Sequence, residues 1–469
     1  MKAYYQASVL FGLLWFVHAG RAQVLVKQSG NGFKLEVDGQ DFMIKGMNWD
    51  YYPIGTNYTY SLWSQPKEIV QSVLDEEMQL AQNMGVNALR IYKGIPKKWI
   101  EYIYKNFGIY TMLNHPFGRY GLTIDGDWRS NTAYDDPRVK ALLLEEAAQL
   151  VKEYKDTPGL LLYLLGNENN YGLFYEDAEK EGLKKKGKSS ALETRAMYKL
   201  FLLNNESNAE STAGEQAKSS LTIDQKAAGR ARPMYKLFNE AALMMKALDS
   251  IHPIAICNGD LMFIDIIKEE CTEVDIFGTN IYRGISFGDT FQRVKEDLNK
   301  PILFTEVGAD AYNVIASTED QESQAYYTLG NWKEIYANAA GMGGAENSIG
   351  GFTFQFSDGW WKFDQTQRLD VHDSTATWNN RGYFRDEKDG LNNMNEEWFG
   401  VCAKVQTDTQ EAYQLLPRAA YFVLKEAHEF SPYDTAATLV ELEKHFSNIE
   451  IFEAIKASKD YSASLVKGN

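Results

Sequence analysis

The chain has 469 residues, 44% of them hydrophobic and 24% charged, enough apolar material for one large domain with additions or for a few small ones. Its formal charge of −16 works against nucleic acid and anionic membranes, whose phosphates need clustered Lys and Arg. The same charge disfavours polyanionic substrates, so neutral ligands fit best.

The first residues read as a secretory signal. Lys2 is a short basic start, residues 7–17 are apolar, and Gly20-Arg21-Ala22 is a small-x-small exit. This predicts cleavage after Ala22, hence a signal over residues 1–22 and a secreted or periplasmic protein. The apolar stretch is short for a bilayer span, an uncleaved anchor being the alternative, and no later segment reads as membrane-inserted. Residues 23–41 follow as a polar leader whose Gly-rich turn and alternation suggest a small hairpin.

From Phe42 onward, strand-like and helix-like runs alternate. Strands are expected to begin at Phe42 (FMIKGMNW), Val86 (VNALRIY), Gly108 (GIYTMLNH) and Leu160 (LLLYLLGNE). Four more are expected at Ile254 (IAICNGD), Asp275 (DIFGTNIY), Pro301 (PILFTEVG) and Gly351 (GFTFQFSD). Between them, stretches such as KEIVQSVLDEEMQLAQNMG carry one apolar helical face suited to packing on a sheet. Eight strands alternating with helices predict an α/β protein, a (β/α)8 TIM barrel over residues 42–433. The rival, a doubly wound open sheet, lacks a Gly-rich dinucleotide fingerprint here.

One connection is unusual. Residues of about 177–232, after strand four, are polar and repetitive, and MYKLF occurs at Met197 and again at Met234. Two copies are too few for a solenoid, so the segment reads as a locally duplicated insertion on the active-site rim. A long polar, aromatic loop follows strand eight, then the helix PRAAYFVLKEAHEF. Residues 434–469 read as a charged helix and tail. The three cysteines, Cys257, Cys271 and Cys402, are too sparse for a disulfide framework or a zinc site. They read as buried small apolar side chains, one optional disulfide remaining open.

A barrel places its chemistry at the C-terminal strand ends. There the chain offers Arg90 and Tyr92 on strand two, Asn114 and His115 on strand three, and Asn167 and Glu168 on strand four. Strand six ends in Asn280 and Tyr282, strand seven in Glu306, and strand eight leads to Asp358, Trp360 and Trp361. Two carboxylates on separate strand tips are what glycosidic cleavage needs. One holds a proton for the leaving oxygen, and the other attacks or stabilises the oxocarbenium-like centre. No Cys/His/Asp set has metal-ligand spacing, so neither metal nor other cofactor is expected.

LGNEN on strand four, FGTNIYRG on strand six and KPILFTEVGADAYN on strand seven resemble the retaining glycoside hydrolases of clan A. The likeness is nearest to the barrel domain of glycoside hydrolase family 2, then to family 5 and the β-1,3-glucanosyltransferases. It implies Glu168 as acid/base, Glu306 as nucleophile, and Asn167 as the partner of the sugar 2-hydroxyl. Tyr282 would donate to Glu306, with Arg90 near the same carboxylate. Asn280, Asn114 and His115 are further substrate-side candidates, the last two competing for one inward position. Family 2 barrels carry a Trp within GFTFW where this chain has Gln355, so Trp360 or Trp361 is expected to supply the sugar-stacking face.

A short leader stands where family 2 enzymes carry jelly-roll domains, which narrows the expectation to an open-cleft β-glycanase or a transglycosylase on an oligo- or polysaccharide, β-glucan first. The alternative from another class is a catalytically idle carbohydrate-binding barrel. The oligomeric state is not legible.

Overall fold

A computed structural model describes residues 22–92, 94–174, 223–362, 365–407 and 412–468. The signal segment, but for Ala22, and most of the strand-four insertion lie outside these residues. The chain first forms an antiparallel three-stranded sheet, Val24–Ser29, Gly32–Val37 and Gln40–Phe42, one strand more than the expected hairpin. The tight turn at Asp38-Gly39 holds both residues at positive φ, 51° and 79°, the geometry that Asp-Gly turns favour in hairpins.

Eight parallel strands then close into a barrel. In chain order they are Ile44–Asn48, Ala88–Ile91, Tyr110–His115, Leu160–Leu165, Ile254–Gly259, Ile276–Asn280, Ile302–Val307 and Ser348–Thr353. They are called barrel strands one to eight below. Strand eight pairs with strand one, Gly350 opposite Ile44, and completes the ring. Gly46 is required at that seam, because a Cβ there would lie 2.3 Å from the Phe352 ring.

The apolar residues divide into an inner and an outer set. Ile44, Ala88, Met112, Leu162, Ala255 and Leu303 fill the barrel interior together with Val24, Leu35 and Val37 of the small sheet. Backbone bonds from Val24 to Ile251 and from Phe33 to Glu346 hold that sheet at the N-terminal ends of strands five and eight. It therefore plugs the bottom of the barrel and leaves the opposite end for a site. Leu89, Leu113, Tyr163 and Phe277 point the other way, into the shell shared with the helices. Side chains alternate along a strand, so this division sets which tip residues of strands two and three face inward, whereas on strand seven a register shift between Phe304 and Val307 takes Glu306 out of that alternation.

The helices form where the patterning places them: Lys67–Asn83, Pro137–Tyr154 and Ala419–Ala427 among them. The Asp136 side chain caps Pro137–Tyr154 by accepting from the Arg138 N–H, and Pro stands at the first helical position. Two differences from expectation stand out. The last segment is two helices, Leu439–Ser447 and Ile451–Gly468, which bury Leu442, Phe446 and Ala454. They pack against Gln321–Ala337 and Ala419–Ala427. The helix following the insertion starts early and spans Ile223–Leu248. No helix among the described residues is long and apolar enough to cross a membrane. All three cysteines are buried and free.

The strand-eight loop is tied to the C-terminal part of the chain by a buried ion pair. Arg418 donates to both carboxylate oxygens of Asp358, at 2.6 and 2.7 Å, and both side chains are shut off from solvent. Asp358 therefore serves architecture rather than the barrel mouth. Asp358→Ala would leave a buried guanidinium without its main counter-charge. Urea denaturation should show a loss of about 3–5 kcal/mol, and an unchanged midpoint would contradict this role.

Candidate active site

Barrel strand four is buried along its whole length, as a parallel strand covered on both faces must be. It ends in a left-handed turn: Gly166 has φ +85° and Glu168 φ +57°. The region is open to glycine but costly for a glutamate, which the surroundings must hold in place. The Asn169 side chain does so by accepting from the Asn167 N–H at 2.8 Å, while the Glu168 N–H donates to the Cys257 carbonyl of strand five at 2.9 Å. The turn breaks the strand alternation that would otherwise send Asn167 and Glu168 to opposite faces. Glu168 is half-buried at this tip.

Glu306 closes strand seven and is largely buried. Its Oε1 accepts from Arg90 Nη1 at 3.0 Å and from the Tyr92 hydroxyl at 2.5 Å; its Oε2 accepts from the Tyr282 hydroxyl at 2.9 Å. Donors from strands two and six thus reach both oxygens and fix the carboxylate's orientation. Arg90 is fully buried and spends its other donors on Asn114 Oδ1, Asn167 Oδ1 and the Thr305 carbonyl. Burial alone would lower its pKa, but Tyr92, Cys257 and Glu306 around it hold it above the ordinary value. Tyr92 is held as a neutral phenol chiefly by burial, with Glu306 adding to the effect against the opposing pull of Arg90.

Asn167 completes the link between the two carboxylate strands. Its Oδ1 accepts from Arg90 at 2.8 Å and from Asn280 Nδ2 at 3.1 Å. Its Nδ2 donates to the Tyr120 hydroxyl at 2.8 Å, and Tyr120 is 48% exposed, so the amide N–H group faces the open side. Asn280 is held in turn by the Thr305 hydroxyl at 2.7 Å. Beneath this network lies Cys257, its Sγ 3.2 Å from Asn280 Oδ1. Burial pushes its thiol up to about 11 despite the nearby Arg90, which keeps it protonated and unsuited to act as a nucleophile.

The structure thus gathers Arg90, Asn114, Asn167, Asn280, Tyr282 and Glu306 into one hydrogen-bonded cluster, with Glu168 on the turn beside it. His115 is a correction. Asn114 takes the inward position, and alternation turns His115 outward, where its Nε2 lies 3.6 Å from Glu146 on the helix Pro137–Tyr154. The two tryptophans lie in the loop after strand eight. Trp360 has one face covered by His372, at 5.0 Å between ring centres and 4° between planes, and His372 stacks on Trp398. Trp361 meets Tyr52 and Tyr58.

The ring that packs edge-on against both Tyr92 and Tyr282 is Phe354, 6.5 and 6.4 Å away. It stands directly after strand eight, one residue before Gln355, where the sequence pattern alone gives no sign of its partners. Tyr92 stands at the tip of strand two, and its i+2 spacing from Arg90 is the signal that both share one face. Among the described residues no group of three or more His, Cys, Asp or Glu is arranged to hold a metal ion.

No family model matches the chain. A curated β-galactosidase from Lactococcus lactis is 22% identical over 140 residues, which is 30% of this chain and 12% of that protein. The β-D-glucuronidase of Dictyoglomus thermophilum superposes with a TM-score of 0.50 at 14% identity, covering 88% of this chain and 54% of the other. A GH2 β-galacturonidase from Eisenbergiella tayi gives a TM-score of 0.48 at 14% identity, covering 88% and 55%. The chain therefore spans about half the length of these solved chains. In architecture it is a (β/α)8 barrel, a fold it shares with the β-D-glucuronidase of Dictyoglomus thermophilum.

Proposed function

We propose that this chain is a retaining β-glycoside hydrolase, exported by its apolar N-terminal segment and acting on a neutral β-glycan, β-glucan first. The observation that carries the reading is the carboxylate of Glu306, aimed from strand seven by Arg90, Tyr92 and Tyr282 beside the Asn167–Glu168 turn of strand four. Glu306 attacks the anomeric carbon while Glu168 gives its proton to the leaving oxygen. A glycosyl ester forms, Glu168 then takes a proton from water, and the water releases the sugar with its configuration retained. The Asn167 amide N–H group meets the sugar 2-hydroxyl, replacing its bond to Tyr120.

A screen of neutral and uronate polysaccharides with product profiling is the primary test. Activity on uronate polymers alone would overturn the choice of substrate, and transfer products in excess over hydrolysis would favour the transglycosylase reading. Proton NMR of the earliest product should show the β-anomer first, and the carboxyls of Glu168 and Glu306 in a ligand complex should lie about 5–5.5 Å apart. First appearance of the α-anomer would point to inversion and remove the nucleophile role.

Tyr92→Phe and Tyr282→Phe each delete one donor to the carboxylate while keeping the ring. Each should lower kcat by about 10- to 100-fold, the value of one hydrogen bond to a charged group. Wild-type kcat in both variants would mean that the donors only pack.

A further inference from the structure

Asn48 ends barrel strand one and is 1% exposed. Its amide fits only one way round. Nδ2 faces three backbone carbonyls, that of Thr305 at 3.2 Å and those of Phe352 and Thr353 at 3.4 Å, and only a donor suits that place. Oδ1 is therefore aimed the other way, 3.0 Å from the Tyr92 hydroxyl. The same hydroxyl lies 2.5 Å from Glu306 Oε1. A phenol has one proton, so Tyr92 serves one of these two acceptors at a time.

Neither side chain is free to move away from the other. The Arg90 guanidinium carbon stands 4.4 Å over the centre of the Tyr92 ring, and Phe354 meets that ring edge-on at 6.5 Å. The backbone carbonyl of Asn48 accepts from the Phe356 N–H at 3.0 Å, and the next N–H, that of Trp49, donates to the Arg90 carbonyl at 2.9 Å. With the oxygens held, rotation of the hydroxyl hydrogen is the motion that remains.

Charge decides where that hydrogen points. While Glu306 is ionised it is the stronger acceptor and takes the bond. The buried Oδ1 of Asn48 then faces a phenol oxygen with no proton to spare, which is costly. In the glycosidase reading one Glu306 oxygen bonds the anomeric carbon. The glycosidic bond breaks, and its electron pair leaves on the oxygen that Glu168 protonates. Whichever oxygen attacks, the carboxylate becomes a neutral ester and a weaker acceptor. The hydrogen then turns to Asn48, and it turns back when hydrolysis restores the carboxylate. Tyr92 keeps its proton throughout.

We infer that Asn48 is a positioning residue for the covalent intermediate. Its side-chain carbonyl takes up the Tyr92 hydrogen bond that Glu306 gives up on becoming an ester, and so stabilises the glycosyl-enzyme. The inference rests on the glycosidase reading and adds to it a residue that acts only through Tyr92.

The test separates the two chemical steps with dinitrophenyl 2-deoxy-2-fluoro-β-glycosides of the gluco, manno and galacto series, whose fluorine slows hydrolysis so that the ester accumulates. Peptide mass confirms the label on Glu306. The labelling rate reads ester formation, and recovery of activity after removal of excess reagent reads ester hydrolysis. In Asn48→Ala, recovery should be about 3- to 10-fold faster, the worth of one neutral hydrogen bond, while labelling is no faster than before. Asn48→Leu, which fills the space without an acceptor, should behave alike. With Tyr92→Phe in place there is no hydrogen to turn, so the same substitutions should change recovery by less than about twofold. Loss of a merely structural amide would slow both steps, with or without the Tyr92 hydroxyl. Recovery unchanged or slowed in both Asn48 variants, or the same acceleration in the Tyr92→Phe background, overturns the inference and leaves the catalytic reading intact. An unsubstituted chain that none of the reagents labels would overturn the catalytic reading, and the inference with it.

Discussion

Glu306→Ala should lower kcat on an aryl β-glycoside by a factor on the order of 10⁴ or more, the scale at which a covalent nucleophile is lost. Adding azide should then restore part of the turnover and yield a glycosyl azide of inverted configuration. The small anion enters the space left by the carboxylate and attacks the anomeric carbon directly, so only one inversion occurs. Three donors converge on Glu306, from Arg90, Tyr92 and Tyr282, and in the variant they remain to orient an anion there. Circular dichroism must match the unsubstituted chain, because removing a buried acceptor from Arg90 also strains the fold. A folded variant with unreduced activity would remove Glu306 from the chemistry.

Glu168→Ala has the second largest expected effect, and it depends on the leaving group. A sugar leaving group needs its oxygen protonated, so hydrolysis of an oligosaccharide should fall by about 10²- to 10⁴-fold. A dinitrophenyl glycoside needs no such proton, so formation of the glycosyl-enzyme should be nearly as fast as before. Its slow breakdown should then accumulate the intermediate, visible as a burst. The pH profile of kcat/KM should lose its alkaline limb, since that limb reports the loss of the acid's proton. Equal losses on both substrates would instead mark Glu168 as a structural turn residue.

The position of Glu168 also shows how adjacent residues in sequence come to share one site. Adjacent residues on a strand point to opposite faces, so Asn167 and Glu168 reach one site only through the turn made by Gly166 and the left-handed Glu168. Strand periodicity could not specify it, because the turn depends on Asn169 and on the carbonyl of Cys257, a residue 90 positions away from Asn167. His115 shows the opposite case. Once Asn114 is known to face inward, alternation alone turns His115 toward Glu146.

What the sequence determined by itself is the repeating part of the protein. Eight apolar runs alternating with amphipathic helices suffice for the barrel, since burial on both faces and a 3.6-residue apolar stripe are local properties. The tip residues of those runs, Arg90, Asn167, Tyr282 and Glu306 among them, follow from the same count. The tertiary structure alone decided which aromatic ring meets which. Phe354 lies between Tyr92 and Tyr282, Trp360 is covered by His372, and Trp361 joins Tyr52 and Tyr58. Phe354, Trp360, Trp361, His372, Tyr52 and Tyr58 sit in the long connections after strands one and eight, where no periodicity constrains the chain. Their places are set by contacts between segments hundreds of residues apart, such as Tyr413 on Glu77 and Lys404 on Tyr52.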